Sequence, residues 1–218
     1  MRSIEQTPQA KYVDHLYAEE DEGLKAIRER LVSAGRWGVN IGANEGRILQ
    51  LLMRLSGAKK IVELGTLFGY SGVWMARALP SDGHLWTVER DHDAIRFARR
   101  GFEECGVASK VTILEGEASD KLAQLTDQAP FDMVFIDANK SAYFEYLEWA
   151  TRSVRSGGLI VADNTLLGGG VAEEVKPESL SQMQWGEMRK FNSAIADKLR
   201  YFGTILPTAE GLTVAIRV

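Results

Sequence analysis

Cysteine is almost missing from this chain of 218 residues. The single one, Cys105, excludes an internal disulfide framework and fits a reducing compartment. Histidine is scarce too: His15, His84 and His92 show no ligand spacing, which speaks against zinc. Neither sign of charge dominates. Lys+Arg 26 against Asp+Glu 30 leaves a net charge of -4, which offers no bulk attraction for nucleic acid or an anionic membrane. No stretch approaches ~18 uninterrupted apolar residues. The opening Met1-Arg2-Ser3-Ile4-Glu5-Gln6 lacks the apolar run of a secretion signal. Internal repeats, low-complexity segments and linkers are absent as well. The expectation is one cytoplasmic domain over 1–218, with a helical lead-in over 1–57 and an α/β core over 58–218.

What is present is an alternation of two periods. Residues 7 to 35 read as one or two amphipathic helices, with Tyr12, Leu16 and Tyr17, then Leu24, Ile27 and Leu31 at helical spacing. A further helix, with Ile48, Leu51, Leu52 and Leu55 on one face, stops at Gly57. Strands are predicted at 60–64, 84–88, 111–114, 131–136 and 158–162, and helices at 72–79, 91–105, 119–126 and 142–154. Such alternation argues for βαβ units and a parallel, doubly wound sheet. The tail departs from it: a helix over 185–200 (Met188, Phe191, Ile195, Leu199) precedes two runs, 202–206 and 212–217, spaced for a hairpin.

The chain is organised around Ile61-Val62-Glu63-Leu64-Gly65-Thr66-Leu67-Phe68-Gly69-Tyr70-Ser71-Gly72. This is a strand, a glycine-rich turn and a helix start, where α/β proteins receive nucleotide-like ligands. A nicotinamide dehydrogenase needs G-x-G-x-x-G, whereas the spacing here is G-x-x-x-G-x-x-G. Glu63, just before the first glycine, would repel a phosphate. It suits a ligand carrying cationic groups and hydroxyls, such as S-adenosylmethionine (SAM).

Three further acids close strands. Glu89 follows the loop by about two dozen residues, where an acid commonly accepts from ribose hydroxyls; the bland alternative is a helix cap by Glu89 or Asp91. Asp137 ends the 131–136 strand and Asp163-Asn164 ends the 158–162 strand. If those strands are neighbours, their ends lie about 5 Å apart. Two carboxylates and an amide oxygen then make a hard, incomplete set suited to Mg²⁺, Mn²⁺ or Ca²⁺. Lys140 follows Asp137 by three residues, and a nearby divalent cation would make its neutral amine more accessible as a general base.

From about Trp37 to the C-terminus the chain resembles the divalent-cation-dependent O-methyltransferases, the family of the catechol and caffeoyl-CoA enzymes. Five stretches carry the likeness: Glu63 to Ser71, Glu89, Glu115-Gly116-Glu117-Ala118, Phe131 to Lys140, and Ala162-Asp163-Asn164-Thr165-Leu166. The resemblance implies a Rossmann-like seven-stranded mixed sheet with helices on both faces and the last strand antiparallel. It implies SAM as cofactor, with Glu63, Gly65, Thr66 and Ser71 at the methionine part, Ile41, Asp137 and Asn139 nearby, Glu89 at the ribose and Ala118 at the adenine. It further implies Asp137, Asp163 and Asn164 as metal ligands, Lys140 with Asp137 as the catalytic pair, and Trp37, Val39, Asn164 and Tyr146 at the substrate. The implied reaction is methylation of one hydroxyl of a catechol-like phenolic molecule, in a homodimer.

Some positions depart from the family's pattern. Asn139 replaces the usual Asp of the caffeoyl-CoA branch, and Tyr201 to Pro207 offers no counterpart to the C-terminal glutamate of the mammalian catechol enzymes. The stretch from Leu167 to Trp185 is a Gly-rich, acidic insertion, expected to form a mobile lid facing the substrate. The rival acceptor is a hydroxylated uridine at the tRNA wobble position, for which Arg96, Arg99, Arg100, Lys59 and Lys60 would supply a basic patch. A non-catalytic cofactor-binding module would leave the metal set and Lys140 without a use.

Overall fold

The computed structural model describes residues 7–36 and 38–218. Trp37, expected at the substrate, and the stretch 1–6 lie outside the described residues. The chain separates into two compact units, 1–59 with 66–117, and 60–65 with 118–218.

In the first unit the polar lead-in becomes α1 (Pro8–Tyr17) and α2 (Glu22–Ser33). Thr7 starts the first by accepting from the Ala10 amide, and Asp21 starts the second by accepting from the Leu24 amide. Leu24, Ile27 and Leu31 are buried as their spacing predicts, whereas Tyr12, Leu16 and Tyr17 are exposed. Helix α3 (Ala43–Ser56) ends at Gly57, whose φ of 64° closes the helix in the left-handed region. Its buried side is not the expected one. Leu49, Gln50 and Met53 face inward, while of the expected stripe Leu51 is 55% and Leu55 75% exposed and Ile48 and Leu52 are half-buried. Then come α4 (Tyr70–Ala78), β2 (His84–Glu89), α5 (His92–Glu104) and β3 (Val111–Glu115). Strands β2 and β3 pair in parallel, Leu85 opposite Val111 through Glu89 opposite Glu115.

The second unit holds β1 (Lys60–Leu64), α6 (Ala118–Thr126), β4 (Phe131–Ile136), α7 (Tyr143–Ser153), β5 (Val154–Ala162), α8 (Gln182–Ile195), β6 (Tyr201–Leu206) and β7 (Leu212–Arg217). Its central strands are near-continuous apolar runs because both faces are covered: Ile61, Val62, Leu64, Met133, Val134, Phe135 and Ile136 are fully buried. Strand β5 starts four residues before the predicted 158. Val154 already pairs with Phe131, and an irregularity follows before Leu159 joins Met133. Helix α8 stops at Ile195, short of the expected 200: the Asp197 side chain takes the Leu199 amide and turns the chain, so Leu199 is exposed rather than on the buried helical face.

The strands order as β3-β2-β1-β4-β5-β7-β6. Pairing is parallel for β1 with β4 and for β4 with β5, and antiparallel for β5 with β7 and for β6 with β7. The expected seven-stranded mixed sheet with an antiparallel last strand is thus the observed one, with helices around it. Among the described residues no helix is long and apolar enough to cross a membrane.

Candidate active site

Register builds the centre of the site. Leu64 pairs with Ile136 and Ile136 with Ala162, so β1, β4 and β5 end level with one another at their carboxyl ends. The residues that follow are Gly65, Asp137 and Asp163. The ends are knitted together: the Asp137 amide donates to the Leu64 carbonyl at 2.8 Å, and the Asp163 amide to the Ile136 carbonyl at 3.0 Å. The condition set by the sequence, that the two acid-bearing strands be neighbours, is met.

Gly65 is there because nothing larger fits. Its φ is 102°, and a Cβ would lie 2.2 Å from the Asp137 carbonyl oxygen. Glu63, two residues earlier, is fully buried within β1 opposite Phe135.

Lys140 opens a short 3-10 turn over Lys140–Ala142, capped by the Asn139 side chain, which accepts from the Ser141 amide at 3.1 Å. The lysine Nζ donates to Asp137 Oδ1 at 2.7 Å and to the Tyr143 hydroxyl at 2.8 Å. Both ends of the ion pair are mostly shielded from solvent.

Asp163 is completely buried, and Asn164 takes a φ of 59°, a left-handed conformation that asparagine tolerates. The turn is braced from two sides. Thr165 donates to the Gly211 carbonyl through both its amide and its hydroxyl, Thr213 donates to the Thr165 hydroxyl, and Asn192 on α8 donates to the Thr165 carbonyl.

Among the described residues no three His, Cys, Asp or Glu side chains gather into a metal-holding group. The expected set is of another kind, two carboxylates and one amide on adjacent strand ends. Its hard oxygen chemistry fits a Mg²⁺-like cation and leaves coordination positions open.

The first unit carries the other expected residues. After Gly65 the loop runs Thr66-Leu67-Phe68-Gly69, with Leu67 at φ 48° and Gly69 at φ 84° leading into α4. Thr66 is anchored to β2, its amide donating to the Val88 carbonyl and its hydroxyl bonding that of Thr87 at 2.5 Å. Glu89 braces the loop by accepting from the Leu67 amide at 2.8 Å. The capping alternative falls to its neighbour: Asp91 accepts the Asp93 and Ala94 amides at the start of α5. Ser71 is buried in the first turn of α4, Ile41 is buried ahead of α3, and Val39 is half exposed.

In the second unit Ala118 is buried at the start of α6. Tyr146, expected at the substrate, is only 1% exposed and packs against the Tyr143 ring.

The insertion is a tied strap. Leu167–Ala172 forms a 3-10 turn with a kink at Gly168 and Gly169. Trp185 Nε1 donates to the Gly170 carbonyl at 2.9 Å, and Arg189 donates to the carbonyls of Val171 and Glu173. Sequence reasoning missed Tyr143, Asn192 and Arg189. Only the first left a readable signal, the three-residue spacing that sets its hydroxyl beside Lys140.

Comparison with known proteins agrees in direction. The family model described as O-methyltransferase matches residues 14–218. A catechol O-methyltransferase of Niastella koreensis is 41% identical over 94% of this chain and 94% of its own. A caffeoyl-CoA O-methyltransferase of Populus kitakamiensis is 34% identical over 95% and 91%. Among solved structures, an O-methyltransferase of Streptomyces achromogenes involved in tomaymycin synthesis, in complex with SAM, superposes with a TM-score of 0.89 at 35% identity, covering 96% of each chain.

Proposed function

The chain belongs to the O-methyltransferase family, and from that premise we propose that it moves the methyl group of SAM to one hydroxyl of a catechol-like small molecule, with a divalent cation at Asp137, Asp163 and Asn164. The observation that carries this reading is the level ending of β4 and β5, which sets the two acids side by side with the Lys140 ammonium on Asp137.

A phenol has a pKa of about 10, so at neutral pH the acceptor oxygen arrives protonated. Lys140, in its neutral form, takes that proton while the oxygen forms its bond to the methyl carbon. SAM supplies the methyl on a sulfonium whose C–S electron pair stays with sulfur, so no acid is needed at the leaving group. A divalent cation, most fittingly Mg²⁺, would supply charge to stabilise the phenolate and fix the two vicinal oxygens. Glu63, Gly65, Thr66, Ser71, Ile41, Asp137 and Asn139 are assigned to the methionine part of SAM, Glu89 to its ribose and Ala118 to its adenine. Val39 and Asn164 are assigned to the substrate. We place the activity in the cytoplasm, in a single-domain chain acting as a homodimer. Support for the dimer comes from the apolar side chains that α1 and α3 leave exposed.

Ion pairing speaks against the tRNA alternative at four of the five basic residues it would use. Arg96 pairs with Asp93, Arg99 with Glu115, Arg100 with Glu104 and Lys59 with Asp82, so these four sit among acids.

Labelled SAM offered to catechol, caffeate, a catecholamine and bulk tRNA, each with Mg²⁺ and with EDTA, tests the proposal. Expected are Mg²⁺-dependent labelling of catechols and a loss of at least about 100-fold in Asp137→Ala. Labelling confined to tRNA would overturn the acceptor, and full activity of Asp137→Ala in EDTA would overturn the cation.

A further inference from the structure

Tyr143 has no place in the assignment above, yet its hydroxyl stands where three functional segments meet. The residue is fully buried at the start of α7. Its oxygen accepts from Lys140 Nζ at 2.8 Å and donates to the Asp163 carbonyl at 2.9 Å, with the Ile136 carbonyl a second, longer partner at 3.3 Å. One hydroxyl thereby bonds the lysine, the end of β5 that carries Asp163 and Asn164, and the end of β4 that carries Asp137.

The ring is as constrained as the oxygen. Phe191 of α8 meets it edge-on at 5.5 Å, Tyr146 packs at 6.3 Å, and the Lys140 ammonium lies 4.9 Å from its centroid. A ring held on these sides has no freedom to move its hydroxyl away.

The consequence falls on Lys140. A lysine side chain is long and rich in rotamers, and an ammonium has three N–H groups. Here one donates to Asp137 and one to Tyr143. With only the carboxylate as partner, the ammonium could pivot about Asp137; a second partner at a fixed point removes that freedom. We propose that Tyr143 is the positioning residue of this site: its hydroxyl fixes the direction in which the Lys140 amine faces the acceptor and locks the ends of β4 and β5 together. The inference rests on the assignment of Lys140 as the base, and it is kept separate from that assignment by a readout that needs no turnover.

The variant is Tyr143→Phe, which keeps the ring and its packing and deletes one oxygen. Two measurements are made. In metal-free protein, solvent exchange of the Lys140 ammonium protons is followed by NMR, with Lys140→Met identifying the resonance. The held ammonium of the wild type should exchange slowly, and Tyr143→Phe should speed it several-fold. In the Mg²⁺-supplemented catechol assay, kcat should fall about tenfold or more while KM for SAM stays within about twofold. Adding Tyr143→Phe to Lys140→Met should then lower the residual rate no further. A purely structural tyrosine would lower the unfolding temperature and leave kcat of the folded protein alone.

Exchange unchanged by the substitution overturns the inference whatever the activity, and so does faster exchange with kcat unchanged. If the wild type methylates no catechol, the proposed function falls, and the exchange measurement alone decides whether Tyr143 holds Lys140. Should Tyr143→Phe fail to fold, the wild type is read by itself. Contacts between the Lys140 ammonium protons and the Tyr143 ring protons are then expected, and their absence overturns the inference.

Discussion

Asp91 shows how much one side chain can hold. It caps α5 through two amides and also pairs with Arg36, whose guanidinium in turn lies 6.0 Å from the Phe68 ring centroid in the glycine-rich loop. The Arg36 hydrogen bond first, and the Ala94 amide after it, keep the Asp91 carboxyl below its ordinary value. A depressed folded pKa means stability that is present above the unfolded value, about 3.9, and is lost as pH falls through the folded one. Asp91→Ala should therefore cost about 1–2 kcal/mol at pH 7. The gap from wild type should close in the acid range below the carboxyl's ordinary value. Urea unfolding at pH 7 and at steps down through the acid range checks both statements, and a gap that narrows at none of them would show that the charge is not what matters. Gly65 makes the opposite point: it contributes by what it lacks, since any Cβ would strike the Asp137 carbonyl.

At the scale of elements, the strap from Leu167 to Ser181 differs most from what its composition suggested. Glycine and acid in the sequence read as mobility; in the structure the part over Gly170 to Glu173 is tied to one helix. Trp185 and Arg189, a turn apart on α8, stack with the guanidinium 4.6 Å from the ring centroid and together take the carbonyls of Gly170, Val171 and Glu173. Arg189→Ala should release the strap without unfolding the protein. Cleavage after Glu173 and Glu174 by a glutamate-specific protease should rise several-fold, with global stability changed by no more than about 1 kcal/mol. Equal cleavage of the two proteins would mean that Arg189 is not the anchor. The short β6–β7 hairpin has the converse character. Its alternation and spacing were readable because a hairpin is made by local contacts.

At the scale of the molecule, the surface left by the lead-in matters most. Helices α1 and α3 are joined where the Asn44 amide donates to Asp14 and Arg47 to the Tyr17 carbonyl. They leave Tyr12, Leu16, Tyr17, Leu51 and Leu55 in solvent. In the proposed homodimer a second copy covers this surface. Sedimentation equilibrium should give twice the chain mass for the wild type and the chain mass for Leu51→Glu/Leu55→Glu, with Phe202→Glu on β6 remaining dimeric. The reverse pattern would move the interface to the β6–β7 hairpin, where Phe202 on β6 and Ile216 on β7 are also exposed and pair in register.

The sequence by itself determined the strands and helices of the α/β core to within a few residues. Each rests on a local cause: apolar runs for strands buried on both faces, a cap such as Asp91, a stop such as Gly57. It also named the acids at the strand ends, because an acid after an apolar run is visible in one dimension. Tertiary structure alone decided which of several apolar stripes is buried. Helix α3 turns Leu49 and Met53 inward and leaves Leu51 and Leu55 outside, since the partners that select a face lie far along the chain. It decided likewise that Tyr146 is buried, that the strap is tied to α8, and that one tyrosine hydroxyl joins Lys140 to two strand ends. Periodicity reports that a face exists. Which neighbours meet it depends on strand order and register, set by long-range pairing that no local pattern encodes.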